Sequence, residues 1–206
     1  MNGKVHALAG VVAAEGAIIT FHQPAVSFVT FFALLGGFFL GVAADLDDSD
    51  ATLAQQQPFR LFSMIFERLP FVQHRGITHS LIAIVLLFGL FNTVLALPEA
   101  LVWALMAAYV SHILLDMFTA DGVELFWPLR FRIKLLPSII AVSSGDRSIV
   151  QSILRVLLSA VFYLFTIHLL VNALNFVPLL GPYLIELWNG KVLNLLPQEI
   201  KTWMVY

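Results

Sequence analysis

The hydrophobic residues of this chain form long uninterrupted runs, separated by stretches that carry most of the prolines and charges. A helix needs about 20 apolar residues to cross the hydrocarbon core of a bilayer, because each residue adds about 1.5 Å. Five runs approach that length, and we predict that each forms a membrane-spanning helix. They are Val5 to Phe21, Ala25 to Ala44, Ser80 to Leu97, Glu99 to Phe118 and Ile153 to Leu174.

The segments outside these runs are patterned as well. Residues 59–69 repeat apolar side chains at helical spacing with charges between them, which predicts an amphipathic helix on the membrane surface. Residues 125–134 alternate apolar side chains with cations, which predicts a strand-like or irregular segment at the headgroup level. Beyond Asn175, three prolines interrupt an apolar tail, and we predict a loop and an interfacial helix carrying Trp188 and Trp203.

Composition supports a membrane protein. Hydrophobic residues make up 60% of the chain and charged residues only 12%, about half the charged fraction of a typical soluble domain. We predict an all-α fold, a polytopic membrane helical bundle with about five transmembrane helices plus interfacial helices. The 206 residues suit a single domain, with a core over about 1–150 and the fifth span and tail over 151–206.

The charged residues predict an orientation. With five spans, the two long loops lie on the same side of the membrane as the N-terminus. Lysine and arginine concentrate on that side, so the positive-inside rule places it in the cytoplasm. The cations of that side are Lys4, Arg60, Arg68, Arg75, Arg130, Arg132, Lys134, Arg147 and Arg155, and those of the other side are Lys191 and Lys201.

Histidine and aspartate lie at the cytoplasmic ends of four predicted spans. His112 and Asp116 are four residues apart and therefore share one helix face. We expect Thr78 to cap the third helix, which would place His79 in its first turn. The chain has no cysteine, so any metal must be held by imidazole and carboxylate. The predicted metal ligands are His6, Asp45, Asp47, His79, His112 and Asp116.

This donor set suits zinc first, with manganese or iron as alternatives. Six ligands exceed the need of one four-coordinate ion, so a site for two ions is an alternative, and such sites commonly hydrolyse phosphoesters. We predict catalytic roles for Asp47 as general base, His74 as ligand or proton donor, and Arg75 as phosphate clamp. Arg75 has the alternative of pairing with Asp45 or Asp47.

Other polar residues are expected to be uninvolved. Asp48 and Asp50 fit a solvated loop. Glu15 faces away from His6 near mid-membrane, where we predict a neutral or hydrogen-bonded packing role. His22 and His168 are expected toward the opposite membrane face. Small residues four apart in the second span predict close helix packing, and they are Ala33, Gly37 and Gly41.

Several of these motifs resemble one known family. They are His6, Asp45-Leu46-Asp47, the run His74-Arg75-Gly76-Ile77-Thr78-His79-Ser80, and Ser111-His112-Ile113-Leu114-Leu115-Asp116 followed by Thr119, Gly122 and Phe126-Trp127-Pro128. Over residues 1–150 the chain resembles the YdjM-type family. These are bacterial inner-membrane proteins described as metal-dependent hydrolases, one of which is described as LexA-regulated. The resemblance implies a membrane-bound hydrolase in the bacterial inner membrane and supplies no substrate.

The expected function is therefore metal-dependent hydrolysis of a phosphoester in a lipid or lipid-linked substrate, through metal-activated water at the cytoplasmic face. Membrane lipids are the expected partners, and the absence of a basic tail argues against nucleic acid. One alternative is a non-catalytic scaffold or binding protein with a structural metal site. Another is a divalent-cation transporter, although transporters place their ligands near the bilayer midplane.

Overall fold

The computed structural model describes residues 2–47, 60, 75–136 and 149–205, and in these residues every regular element is helical. The all-α fold class is confirmed. The predicted surface helix over 59–69 lies outside the described residues except for Arg60. The α-helices are α1 (Gly3–Thr20), α2 (Phe28–Ala43), α3 (Leu81–Gly89), α4 (Glu99–Met117), α5 (Ile149–Ala173), α6 (Leu180–Leu187) and α7 (Gln198–Met204).

Four described helices are long and apolar enough to cross a membrane, namely α1, α2 with its extension to Leu46, α4 and α5. The third predicted span is shorter. Helix α3 continues as a π-helical turn to Val94, which gives a rise of about 21 Å, against roughly 30 Å for a bilayer core. The chain then leaves helical geometry at Ala96, which has a positive φ, two residues before Pro98.

Hydroxyl side chains define where two helices begin. Ser27 Oγ accepts a hydrogen bond from the backbone N–H of Thr30, which caps α2. Ser80 Oγ does the same for α3, accepting from Ala83 N–H at 3.3 Å. The expectation that Thr78 caps this helix is therefore wrong. Thr78 and His79 lie in a separate 3-10 turn before α3, because the chain changes direction at Ser80.

Helices α1, α2 and α4 form the centre of the bundle, and α1 runs antiparallel to both α2 and α4. Glycines allow the closest contact, between α1 and α2. A Cβ atom on Gly10 would lie 2.3 Å from the Gly37 carbonyl oxygen and 2.6 Å from the Gly41 Cα. The predicted packing role of Gly37 and Gly41 is confirmed. This arrangement brings the start of α1 and the ends of α2 and α4 to one end of the bundle, the site end.

The segment after α4 closes the site end without forming a regular strand. Val123 and Ile133 exchange two backbone hydrogen bonds as an isolated antiparallel bridge, and turns lie between them. Gly122 has a φ of +67°, and a Cβ there would lie 2.6 Å from the Ile133 carbonyl oxygen. The predicted irregular segment over 125–134 is confirmed.

The C-terminal tail covers the opposite end of the bundle. It contains two short helices, α6 and α7, where we predicted one, because Pro182 lies within the first turn of α6 and does not interrupt it. Trp188 is buried in a cluster with Ile19, and the Trp203 indole donates a hydrogen bond to Thr20 Oγ1 at 3.0 Å. Trp188 therefore packs against the end of α1, and Trp203 is hydrogen-bonded to it.

Candidate metal centre

Four acidic and imidazole side chains converge at the site end. They come from three different parts of the chain. Asp45 lies in the 3-10 turn that extends α2, His79 in the turn before α3, and His112 and Asp116 on the last turns of α4. Their ligand atoms all lie within 4.8 Å of one another. We call these four residues the metal group.

The distances within the metal group suit a single small cation. His79 Nε2 and His112 Nε2 are 3.2 Å apart, and they lie 3.4 and 3.7 Å from Asp116 Oδ2. Asp45 Oδ1 lies 3.3 Å from His112 Nε2 and 3.8 Å from His79 Nε2. Ligands bound tetrahedrally to zinc at roughly 2.0–2.1 Å are about 3.4 Å apart. The donor atoms therefore fit a divalent metal ion.

The far side of each imidazole ring is held by a neighbouring group. His112 Nδ1 lies 2.8 Å from the Gly41 carbonyl oxygen, which only accepts, so Nδ1 carries the proton and Nε2 presents its lone pair to the metal group. His79 Nδ1 contacts Thr78 Oγ1 at 3.0 Å, and the Tyr109 hydroxyl donates to the Thr78 carbonyl. Metal-binding histidines are oriented by such contacts.

His6 extends the cluster on the α1 side. Its Nε2 lies 3.2 Å from Asp116 Oδ1, and its ring stacks on that of His112 with centroids 3.9 Å apart. Asp116 thus faces His6 with one oxygen and His79 with the other. If the alternative site for two ions is formed, Asp116 and His6 would help to hold the second ion. His6 Nδ1 is buried and has no hydrogen-bond partner among the described residues.

Arg75 contacts the metal group through Asp116. Its Nε lies 3.3 Å from Asp116 Oδ2, and its Nη1 donates to Thr119 Oγ1 at 2.8 Å and to Asp121 Oδ2 at 3.3 Å. The guanidinium is buried, so these contacts fix the Asp116 carboxylate firmly. Arg75 thus forms ion pairs with Asp116 and Asp121.

The remaining predicted residues are placed differently. Asp47 is the last residue of the 3-10 turn that follows α2, and its role as ligand or general base stays a prediction. His74 lies outside the described residues. Glu15 accepts a hydrogen bond from Thr166 at 2.7 Å, in agreement with its expected packing role. His22 and His168 lie beside one cavity at the opposite end of the bundle, as expected.

Three supporting residues were not identified from the sequence. Tyr109 lies one turn before His112 on the ligand face of α4. Thr119 follows the end of α4, where its hydroxyl donates to the Asp116 carbonyl at 2.7 Å. The Gly41 carbonyl is a backbone group, and no side-chain pattern could have indicated it. For Tyr109 and Thr119, the available signal was their spacing of three residues from His112 and Asp116.

A substitution of Arg75 tests whether metal binding depends on the contact between its guanidinium and Asp116. We expect Arg75→Lys to weaken metal binding about tenfold, because one ammonium group cannot contact Asp116, Thr119 and Asp121 together. Metal titration of the purified protein measures this. Arg132→Lys is the control, since Arg132 is half-exposed and pairs with Glu124 at 3.7 Å. An unchanged dissociation constant in Arg75→Lys would show that Asp116 is held without the guanidinium.

The model of the family described as YdjM inner membrane protein matches residues 1–177, which include the whole metal group. This chain belongs to the YdjM inner membrane protein family. The resemblance drawn from the sequence motifs is thereby confirmed, and the family assignment agrees with the four helices of span length.

Individual relatives cover less of the chain. Over 66 residues it is 41% identical to inner membrane protein YdjM of Escherichia coli (strain K12), and equally to that of Shigella flexneri. This match covers 30% of this chain and only 34% of each relative. Uncharacterized protein YvsG of Bacillus subtilis (strain 168) is 25% identical over 138 residues, which are 66% of this chain and 78% of that relative. No solved structure matches the chain.

Proposed function

We propose that this protein is a membrane-embedded, metal-dependent hydrolase that cleaves a phosphoester in a lipid or lipid-linked substrate. One observation carries the proposal. Two imidazole and two carboxylate groups converge within 4.8 Å at the end of a bundle of membrane-length helices. Burying uncompensated carboxylates is costly, and a divalent cation offsets that cost.

The donor set supports zinc, with manganese or iron as alternatives, since it contains nitrogen and oxygen ligands only. Asp45, His79, His112 and Asp116 would hold the first ion. His6 and Asp116 would contribute to a second. A bound divalent ion would act as a Lewis acid on a phosphoryl oxygen and activate water at neutral pH.

Protein groups would supply the rest of the chemistry. The Asp45 side chain is 16% exposed whereas those of His79 and Asp116 are fully buried, so substrate would approach from the Asp45 side. Asp47 follows two residues later and would accept the proton of the attacking water. Arg75 would hold Asp116 in place. The phosphate clamp by Arg75 and the proton donation by His74 stay predictions from the sequence.

The location of the site supports a lipid substrate. The metal group lies where α1 begins and where α2 and α4 end, a level that corresponds to the headgroups if these helices span the bilayer. We further propose that the protein resides in the bacterial inner membrane with the metal group facing the cytoplasm. Cations support that orientation, because Lys4, Arg130 and Arg132 belong to the site end.

A turnover screen tests the proposal. Detergent-purified protein loaded with zinc or manganese would be assayed against phosphatidic acid, phosphatidylglycerol, a polyprenyl phosphate and bis-p-nitrophenyl phosphate. We expect metal-dependent release of product from at least one, and a loss of about 1,000-fold or more in Asp116→Asn, because that change removes a charged ligand. Loaded protein that turns over none of these substrates would contradict the hydrolase.

A second candidate function is a non-catalytic metal site that joins helix ends. It is favoured by the number of donors, because four protein ligands complete a tetrahedral shell and leave no open position. X-ray absorption spectroscopy of the loaded protein separates the two functions. A shell of four protein donors supports the structural site, and an additional solvent oxygen supports the hydrolase.

A further inference from the structure

A cavity of about 420 Å³ lies at the end of the bundle opposite the metal group. It is formed by the connection between α1 and α2, which includes His22 and Gln23, and by the last turns of α5, which include His168 and Asn172. His6 and His22 are sixteen residues apart along α1 and its end, a distance of about 24 Å by helical rise. The cavity is therefore separate from the metal group.

The walls of this cavity are held by hydrogen bonds of their own. Gln23 Nε2 donates to the Phe21 carbonyl at 3.2 Å, and its backbone N–H donates to the Ile18 carbonyl. Thr30 Oγ1 donates to the Pro24 carbonyl at 2.8 Å. On the other wall, Trp188 Nε1 donates to His168 Nδ1 at 3.1 Å. These hydrogen bonds hold both walls of the cavity in place.

The contacts of His168 leave one hydrogen-bond donor unmatched. An indole N–H can only donate, so His168 Nδ1 must accept and the ring proton sits on Nε2. The group 3.2 Å from Nε2 is Asn172 Nδ2, which already donates to the His168 carbonyl at 2.9 Å. Two donors therefore face each other. An acceptor atom placed in the cavity could take both the Nε2–H and the second Asn172 N–H.

The surroundings of the cavity restrict what that acceptor can be. No Lys, Arg, Asp or Glu is among the described residues that line it, so a fully charged ligand would be desolvated without a counter-charge. Its rim is apolar, with Val26 76% exposed, and Phe28 beside it is 85% exposed. Trp188 and Trp203 lie at this end, and tryptophan favours the interface between hydrocarbon and headgroups.

We propose that this cavity binds the ester-carbonyl region of a membrane lipid from the leaflet opposite the metal group. The carbonyl oxygen accepts from His168 and Asn172, and the acyl chains lie along the exposed apolar residues of the rim. Ester groups lie just below the headgroups, at the depth that the two tryptophans mark. The site is independent of the metal group and of the proposed hydrolysis.

A comparison of two lipids tests the carbonyl contact on the unmodified protein. The full chain, stripped of lipid in detergent, is titrated with palmitoyl-oleoyl phosphatidylglycerol and with the diether lipid of the same headgroup and chain lengths. Bound lipid is counted by native mass spectrometry. We expect the ester lipid to bind about fivefold more tightly, because the ether lacks the carbonyl acceptors. Equal binding of the two lipids would overturn the proposal.

Variants then locate the contact. Asn172→Leu and His168→Phe should each reduce the preference for the ester lipid to nearly none. Asn194→Leu is the matched control, because Asn194 is exposed on the tail outside the cavity. A preference that persists in both cavity variants would overturn the proposal even if the preference itself is real. Metal content is measured in the same samples and should not change, which separates this site from the proposed hydrolase.

Discussion

Replacing both His112 and Asp116 by alanine should remove the metal from this protein. The two side chains contribute two of the four donors of the metal group, from one face of α4. Loss of both leaves Asp45 and His79, which cannot complete a coordination shell. We expect the unmodified protein to bind about one metal ion per chain or more. In the double variant we expect the affinity for the metal ion to fall by about 100-fold or more. Elemental analysis of the detergent-purified protein measures both.

The matched control changes the same residue types elsewhere. His22→Ala with Asp50→Ala removes one histidine at the opposite end of the bundle and one aspartate that the sequence predicts in a solvated loop. This control should keep its metal. If the His112 and Asp116 double variant retained the ion at full occupancy, the metal group would not be the binding site. An unmodified protein without any transition metal after loading would contradict the site itself.

Adding one methyl group at Gly10 should destabilise the bundle and weaken the metal site together. In Gly10→Ala the new Cβ would lie 2.3 Å from the Gly37 carbonyl oxygen and 2.6 Å from the Gly41 Cα. Both are backbone atoms, so no side-chain rotation relieves the contact, and α1 must move away from α2. We expect the free energy of unfolding to fall by about 2 kcal/mol or more.

The effect on metal follows from what these two helices carry. Gly41 supplies the carbonyl that holds His112 Nδ1, and α1 carries His6. Thermal unfolding and metal titration of the same sample measure the two effects. Gly89→Ala is the control, because within the described part of the chain no atom outside its own helix and neighbours lies within 4 Å of a Cβ there. Gly10→Ala with unchanged stability would show that the helices adapt to the larger residue.

The ends of the helices show how far the sequence could predict this structure. Runs of apolar residues located α1, α2, α4 and α5, because the length needed to cross a bilayer is a local property of the chain. The third run was predicted as a full span and is shorter. The cap of α3 was assigned to Thr78, whereas Ser80 performs it. The first error concerns the turn at Ala96, two residues before Pro98. The second concerns the turn of Thr78 and His79, where the Tyr109 hydroxyl donates to the Thr78 carbonyl.

The candidate site, too, could be predicted only in part from the sequence. The sequence identified His6, Asp45, His79, His112 and Asp116 as polar residues at one level of a helical bundle. The sequence could not predict which residues contact Arg75. Those contacts depend on the segment after α4, where Thr119 and Asp121 accept hydrogen bonds from the guanidinium. The role of Asp47 beside Asp45 stays a prediction from the sequence.

The sequence by itself determined the class of protein, the positions of the long helices and the residue types available at their ends. These follow from hydropathy and spacing along the chain. Only the tertiary structure decided that four donors meet within 4.8 Å and that a cavity lined by His22, His168 and Asn172 lies at the other end. The physical reason is that convergence depends on the rotation and separation of helices. Those are determined by contacts between distant residues, above all Gly10 with Gly37 and Gly41.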